Sequence, residues 1–203
     1  IDFKKVNAYE EAVLKTGLPI VLDNGVFETG RADGIDSLLM KAKRLNPKYI
    51  FAPDTMYDSE KTAAGVEHLD YIQKKLRLDF KIGAVVQATN LEDYLLQFTE
   101  FNDNPQISVI GIGYLMMKRI TRYLDHNKIP REETVKKHDL NDSRRYDECR
   151  IEVLKKIAAL PLKRRKPVHL LGLGESYKDI LFAKENYPWC LYNDTSTCFI
   201  AGY

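Results

Sequence analysis

Short apolar runs rich in β-branched residues alternate along the chain with longer stretches in which apolar positions recur three and four residues apart. The runs fall at Pro19 to Leu22, Tyr49 to Ala52, Ile82 to Val86, Ser108 to Ile112, Val168 to Leu171 and Trp189 to Tyr192. Their length and composition predict strands. Between them, Ile35, Leu38, Leu39 and Ala42, and further on Leu91, Tyr94, Leu95 and Phe98, are spaced to line one face of a helix. Start signals agree with this division. Asn90 with Asp93, and Ser176 with Asp179, form capping pairs in which a side-chain oxygen meets free helix amides, and another helix is predicted to begin near Asp58.

Strand followed by helix, six times over, predicts a parallel sheet covered by helices and joined by right-handed crossovers. An open doubly wound sheet and a barrel both satisfy that order. The barrel is the better expectation, because polar or glycine tips follow nearly every run, whereas an open sheet gathers its ligands at one switch point. The fold class expected is therefore α/β, a (β/α)8 barrel in a single domain spanning residues 1–203. Such a barrel usually takes about 250 residues. Six visible units imply either one further unit before Ile1 and one after Tyr203, or an incomplete barrel. The one long irregular stretch, about 124–145 and carrying Pro130, reads as an insertion after the fourth strand.

The tips are where chemistry is expected. Asp23 precedes Asn24-Gly25, a turn signal, and so either projects a carboxylate from the strand end or caps the turn. Asp54 follows Ala52-Pro53, and is either a site residue or a cap for the helix near Asp58. Gln87 ends an apolar strand; its amide either reads the edge of a purine-like base or is satisfied by backbone. Gly111 with Gly113, and Gly172 with Gly174, either let a flat ligand approach bare backbone or make tight turns. Asp194, in Tyr192-Asn193-Asp194-Thr195-Ser196-Thr197, closes the last run. The four histidines lack ligand spacing, and Cys149, Cys190 and Cys198 include no Cys-x-x-Cys pair, so no metal site and no disulfide framework are expected.

Charge adds a possible partner class. The formal net charge of +2 conceals 16 Lys and Arg against 8 Asp and Glu between Lys118 and Lys166, and 15 against 21 elsewhere. A basic segment on an acidic chain is either the footprint of a polyanion or a solvated helical face. Lys118, Arg119, Arg122, Arg144 and Arg145 follow a strand and are expected on the same face as Asp23 and Asp194, whereas Lys163, Arg164, Arg165 and Lys166 precede one and belong at the opposite end. No membrane span or secretory signal is visible, and a cytoplasmic location is expected.

Two carboxylates flanking a sugar suit displacement at an anomeric carbon, one attacking C1′ while the other handles the leaving group's proton. In this setting Leu22-Asp23-Asn24-Gly25-Val26-Phe27-Glu28 resembles the Asp-Ser-Gly-Gly-Phe-Gln motif of the tRNA-guanine transglycosylase superfamily. Val85-Val86-Gln87-Ala88 is similar to that family's Val-Gln-Gly segment, Ile110-Gly111-Ile112-Gly113 to its Ile-Gly-Gly segment, and His169-Leu170-Leu171-Gly172-Leu173-Gly174 to its Tyr-Leu-Met-Gly-Val-Gly segment, in the same order. The Asp-Asn-Gly and Asn-Asp-Thr-Ser forms resemble the phage and bacterial branch that inserts 7-deazaguanines into DNA. The resemblance implies a (β/α)8 barrel acting in a bacterial or phage-infected cell, with no cofactor, that exchanges guanine for a 7-deazaguanine such as preQ0 through a covalent enzyme-nucleotide intermediate. It implies Asp194 as nucleophile, Asp23 as proton-transfer partner and Asp54, Gln87 and Gly113 as base readers, with Asn24, Gly111, Gly172 and Gly174 completing the substrate contacts. The family's Cys-x-Cys-x-x-Cys zinc subdomain is missing from these residues and Gly-Gly-Phe-Gln is replaced by Gly25-Val26-Phe27-Glu28, so DNA is expected as partner rather than tRNA, and a homodimer is compatible with the reading. Two other classes use the same features: an N-glycosidase in which water resolves the intermediate, and a non-catalytic nucleic-acid-binding barrel.

Overall fold

In a computed structural model, residues 8–25, 32–114, 116–117, 120, 143–172 and 177–193 are described. They form α1 (Ala8–Lys15), β1 (Val21–Leu22), α2 (Ile35–Leu45), β2 (Tyr49–Phe51), α3 (Ser59–Leu76), β3 (Lys81–Val85), α4 (Leu91–Asp103), β4 (Ile107–Gly113), α5 (Ser143–Ala158), β5 (Val168–Leu171), α6 (Lys178–Asn186) and β6 (Cys190–Asn193). The strands make one six-stranded sheet in chain order, and every neighbouring pair is parallel. All six apolar runs are therefore strands, with bounds shifted by a residue or two. Parallel neighbours cannot be joined by a tight turn, and the intervening amphipathic stretches supply the connections. The stretch 121–142, most of the expected insertion, lies outside the described residues.

Helix caps follow the sequence in two cases and depart from it in one. Asp58 accepts a hydrogen bond from the Lys61 amide at 2.9 Å, and Asn90 one from the Asp93 amide at 2.9 Å. At α6 the capping position is held by Tyr177, at φ 55° and without a side-chain cap. Ser176 lies outside the described residues, and Asp179 is drawn inward to pair with Arg150.

The central strands β2 to β5 bury both faces, as parallel strands covered by helices do, whereas β6 at the edge alternates half-buried and exposed residues. Ile50, Ala52, Ile82, Ala84, Val86, Ile110, Ile112, Val168 and Leu170 join the cluster that includes Leu38 and Leu39 of α2, Val66 and Leu69 of α3, Tyr94 and Phe98 of α4, and Val153 and Leu154 of α5. Alternate residues Tyr49, Phe51, Val85 and Val109 form a second cluster with Val21, Leu171 and Tyr192. That second face is the inside of a curl. The Tyr49 hydroxyl on β2 lies 2.7 Å from His169 Nδ1 on β5, and the Tyr49 and Tyr192 rings are 5.7 Å apart. In a flat sheet β2 and β5 would be about 14 Å apart, three steps of about 4.8 Å. The sheet is thus a curled, half-barrel arrangement, and His169 is a buried residue inside it.

Phe51 at the centre of the curl needs room. A Cβ at Gly83 would lie 2.8 Å from Phe51 Cδ1, and one at Gly111 would lie 3.0 Å from Phe51 Cε1 and 2.8 Å from Leu171 Cδ1. Gly83→Ala should therefore destabilise the chain by about 1 to 3 kcal/mol in urea unfolding, the cost of overpacking a filled core. Combining it with Phe51→Leu should recover part of what the two single substitutions lose when summed. Strict additivity of the pair would exclude this packing account.

Candidate functional site

Asp54 is the centre of the site. It follows β2 past Pro53, at the same end of the sheet as Asp23 after β1 and Gln87 after β3. Its approach is fixed by close packing of α3: a Cβ at Gly65 would lie only 2.1 Å from the Pro53 carbonyl oxygen. Thr62 on the same helix accepts a hydrogen bond from the Thr55 amide at 3.0 Å, holding the turn just beyond. The capping alternative for Asp54 does not apply, because Asp58 fills that position.

The Asp54 side chain is 3% exposed, and its two oxygens are held by amides from the flanking strand ends. Asn24 Nδ2 donates to Oδ1 at 2.5 Å and also to the Ala52 carbonyl at 2.8 Å. Gln87 Nε2 donates to Oδ2. The Gln87 carbonyl oxygen in turn accepts from the Tyr57 amide at 3.2 Å, while the Gln87 backbone N–H donates to Gln97 Oε1 at 2.6 Å. Gln97 Nε2 donates to the Ser59 carbonyl at 3.0 Å, so α4 braces both Gln87 and the start of α3. The orientation of the Gln87 amide follows from this: its oxygen meets a donor and its nitrogen meets a carboxylate. Backbone alone does not satisfy it, as one sequence alternative had it.

Burial pushes the Asp54 pKa from 3.8 up to about 6; the hydrogen bonds from Asn24 and Gln87 oppose that rise, and the charge of Asp23 adds to it. Asp23 itself is exposed. Two carboxylates in unlike surroundings, one buried and one exposed, thus stand close together at this end of the sheet. A carboxylate offers about four acceptor positions and a primary amide two donors, so Asp54 and Gln87, each engaged as above, retain an acceptor and a donor side by side.

The β4 and β5 side is organised differently. Gly111 lies within β4 rather than at a tip, and the space beside it is filled by Leu171, Phe51 and Val85; it does not offer bare backbone to a ligand. Gly113, the last residue of β4, has among the described residues only Val85 within 4 Å of where its Cβ would be, at 3.9 Å. Gly172 follows β5 at φ 67°. Here the structure adds a residue that the sequence did not single out. Arg150 of α5 is fully buried, pairs with Asp179 of α6, and donates to the carbonyls of Ile112 at 3.4 Å, Leu171 at 3.1 Å and Gly172 at 3.0 Å. It joins the ends of β4 and β5. In the sequence it is one cation among many in a basic stretch, and its partner lies 29 residues away.

The structure thus brings together Asn24, Asp54 and Gln87, with Asp23 close enough to act on Asp54. Asp194, Gly174, Lys118, Arg119 and Arg122 lie outside the described residues, as do the side chains of Arg144 and Arg145. The second basic cluster is occupied at the far end: Arg165 donates to the Ala158 carbonyl at 2.6 Å and the Leu160 carbonyl at 2.9 Å, and Lys166 to the Phe101 carbonyl at 2.9 Å. Among the described residues, no group of three or more His, Cys, Asp or Glu could hold a metal ion, and no helix is long and apolar enough to cross a membrane.

No protein-family model matches the chain, and no curated protein matches it.

A carboxyl whose folded pKa is raised binds its proton more tightly in the folded chain than in the unfolded one. Its stabilising contribution is full below about pH 4 and is lost as pH rises through about 6. The rise from 3.8 to about 6 corresponds to roughly 3 kcal/mol. Wild-type stability minus that of Asp54→Asn, followed by urea unfolding, should therefore fall by roughly that amount between about pH 4 and about pH 7. A difference that stays flat, or rises, would show that Asp54 is not held in this way.

Proposed function

We propose that this protein is a nucleic-acid guanine transglycosylase that exchanges a guanine, in DNA rather than tRNA, for a 7-deazaguanine such as preQ0, and that the six units belong to a (β/α)8 barrel. The observation that carries the reading is the buried Asp54, held by Asn24 and Gln87 at the strand ends beside the exposed Asp23. A base-reading edge next to a wet carboxylate is what the exchange needs. The ordered motif resemblance around Asp23, Gln87, Gly113 and Gly172 supports the same assignment.

In the proposed reaction Asp194, the residue after β6 in the chain, attacks C1′ of the target nucleotide. The C1′–N9 bond breaks, a C1′–O bond to Asp194 forms, and guanine leaves with a proton supplied by Asp23. The 7-deazaguanine then occupies the same pocket, loses its ring N–H proton to Asp23, and its nitrogen displaces Asp194 from C1′. No net oxidation occurs, and the proton removed in the second half matches the one delivered in the first. Asp54 and Gln87 recognise both bases through the shared pyrimidine-type edge. The cations near Lys118 and Arg144 grip phosphates beside the pocket.

Nucleoside mass analysis of DNA and tRNA from cells that express the protein and are supplied with preQ0 tests the reading. A 7-deazaguanine nucleoside is expected in DNA, and it should vanish with Asp194→Asn, together with the covalent protein-DNA adduct. Modification that persists at the wild-type level in that variant would remove Asp194 from its role. Release of free guanine with no incorporation would favour the N-glycosidase. For the purified enzyme, Gln87→Ala should raise KM for the base roughly 5- to 150-fold, the equivalent of leaving a buried polar group unpaired, with little change in KM for DNA. Equal increases for both substrates would count against base reading by Gln87.

A further inference from the structure

The end of β3 is held from behind by a glutamine that the exchange chemistry does not use. Gln97 lies on α4 with Tyr94, Phe98 and Phe101, on the face of the helix that packs into the core, and is 2% exposed. A side-chain amide in that position costs stability unless both of its ends are bonded. Both are: Oε1 accepts the Gln87 backbone N–H at 2.6 Å, and Nε2 donates to the Ser59 carbonyl at 3.0 Å. Gln87 lies just past β3, which ends at Val85, so its N–H is taken by the helix and not by a neighbouring strand. Ser59 opens α3 shortly after Tyr57, whose own amide donates to Gln87 Oε1 at 3.2 Å. Tyr57 stands at φ 64°, a left-handed conformation that a tyrosine keeps only where its surroundings hold it. The contacts therefore close a ring: Gln97 holds Gln87 and Ser59, and the turn before Ser59 holds the Gln87 side chain.

That ring decides which way the Gln87 amide faces. With its oxygen on the Tyr57 amide, its nitrogen is turned to Asp54 Oδ2. A primary amide has an oxygen and a nitrogen of nearly the same size, so shape alone does not fix its orientation; turned over, it would set an oxygen against the carboxylate and lose the bond. We propose that Gln97 is a positioning residue of the site: it keeps the Gln87 amide aimed at Asp54, and the affinity for the incoming base depends on it although it lies behind the strand end. Asn24 reaches Asp54 from the end of β1, on the other side of β2, and the charge of Asp23 acts from the same end, so neither of those interactions passes through Gln97. The identity of the ligand rests on the base-exchange reading, whereas the hold on Gln87 does not.

Two measurements on wild type, Gln97→Leu, Gln87→Ala and the double variant test the proposal. The first needs no ligand and follows the Asp54 carboxyl carbon by nuclear magnetic resonance through a pH titration. The hydrogen bond from Gln87 favours the ionised carboxylate and so holds the Asp54 pKa down. Gln97→Leu should therefore move the midpoint up, as Gln87→Ala does, and should add little once Gln87 is already replaced. A midpoint unchanged by Gln97→Leu, or moved equally in the wild-type and Gln87→Ala backgrounds, would overturn the proposal, since a general loosening of the fold does not act through one side chain. The second measurement is calorimetric binding of preQ0. Gln97→Leu should weaken it roughly 2- to 150-fold, by no more than Gln87→Ala does, and the two losses should again be far from additive. Wild-type affinity in Gln97→Leu would overturn the proposal while leaving the exchange reading in place. If the wild-type protein does not bind preQ0 but the midpoint moves as expected, the exchange reading fails and the hold of Gln97 on Gln87 stands. Should Gln97→Leu not fold, Gln97→Asn, neutral but one methylene too short to span Gln87 and Ser59, takes its place in both measurements.

Discussion

Phe51 sits where the inner faces of four strands converge, and its accommodation governs the shape of the sheet. The ring packs with Tyr49, Val85 and Val109 and meets the His169 ring at 5.6 Å, across a span that only a curled sheet can close. Gly83 and Gly111 make that possible, because a methyl group at either position would collide with the Phe51 ring. Curling in turn decides where the strand ends point. A flat sheet would spread the ends of β1 to β5 along a line, while the curl turns them toward a common mouth. The site therefore depends on an apolar packing arrangement one layer beneath it.

Two buried charges at that mouth are handled by opposite means. Asp54 is surrounded by neutral amides and has the neighbouring charge of Asp23, so the cost of burial is met by a pKa near 6 that lets it take up a proton. Arg150 cannot neutralise itself, and its burial requires Asp179 and three strand-end carbonyls. One half of the mouth is consequently titratable. The other half is a fixed ionic clamp that steadies β4 and β5.

Strands, helices and most of their order were legible from periodicity because each is decided within a few residues. Apolar runs of four or five residues stay strands in any context that buries both faces, and Asp58 and Asn90 cap helices through amides only three positions away. Candidate residues at the strand ends were legible for the same reason, since Asp23, Asp54 and Gln87 each break an apolar run. Local reading failed where long-range demand outweighed local preference. Asp179 has the position of a first-turn acidic residue in α6 and is instead taken by Arg150, and Gly111 has the look of a ligand-facing tip but is filled by Phe51 and Leu171.

What the sequence determined alone is thus the alternation of strands and helices, the parallel sheet it implies, and the set of polar residues from which a site could be made. Tertiary structure decided which of these meet. Asn24, Asp54 and Gln87 are separated by 30 and 33 residues, and no local pattern records that one carboxylate will be shared between two amides. The same holds for Tyr49 and His169, 120 residues apart, whose contact is the clearest mark of the curl. Such pairings arise only when helices cover one face of the sheet and side chains fill the other, because the packing of those two layers fixes the curvature that brings distant strand ends within hydrogen-bonding reach.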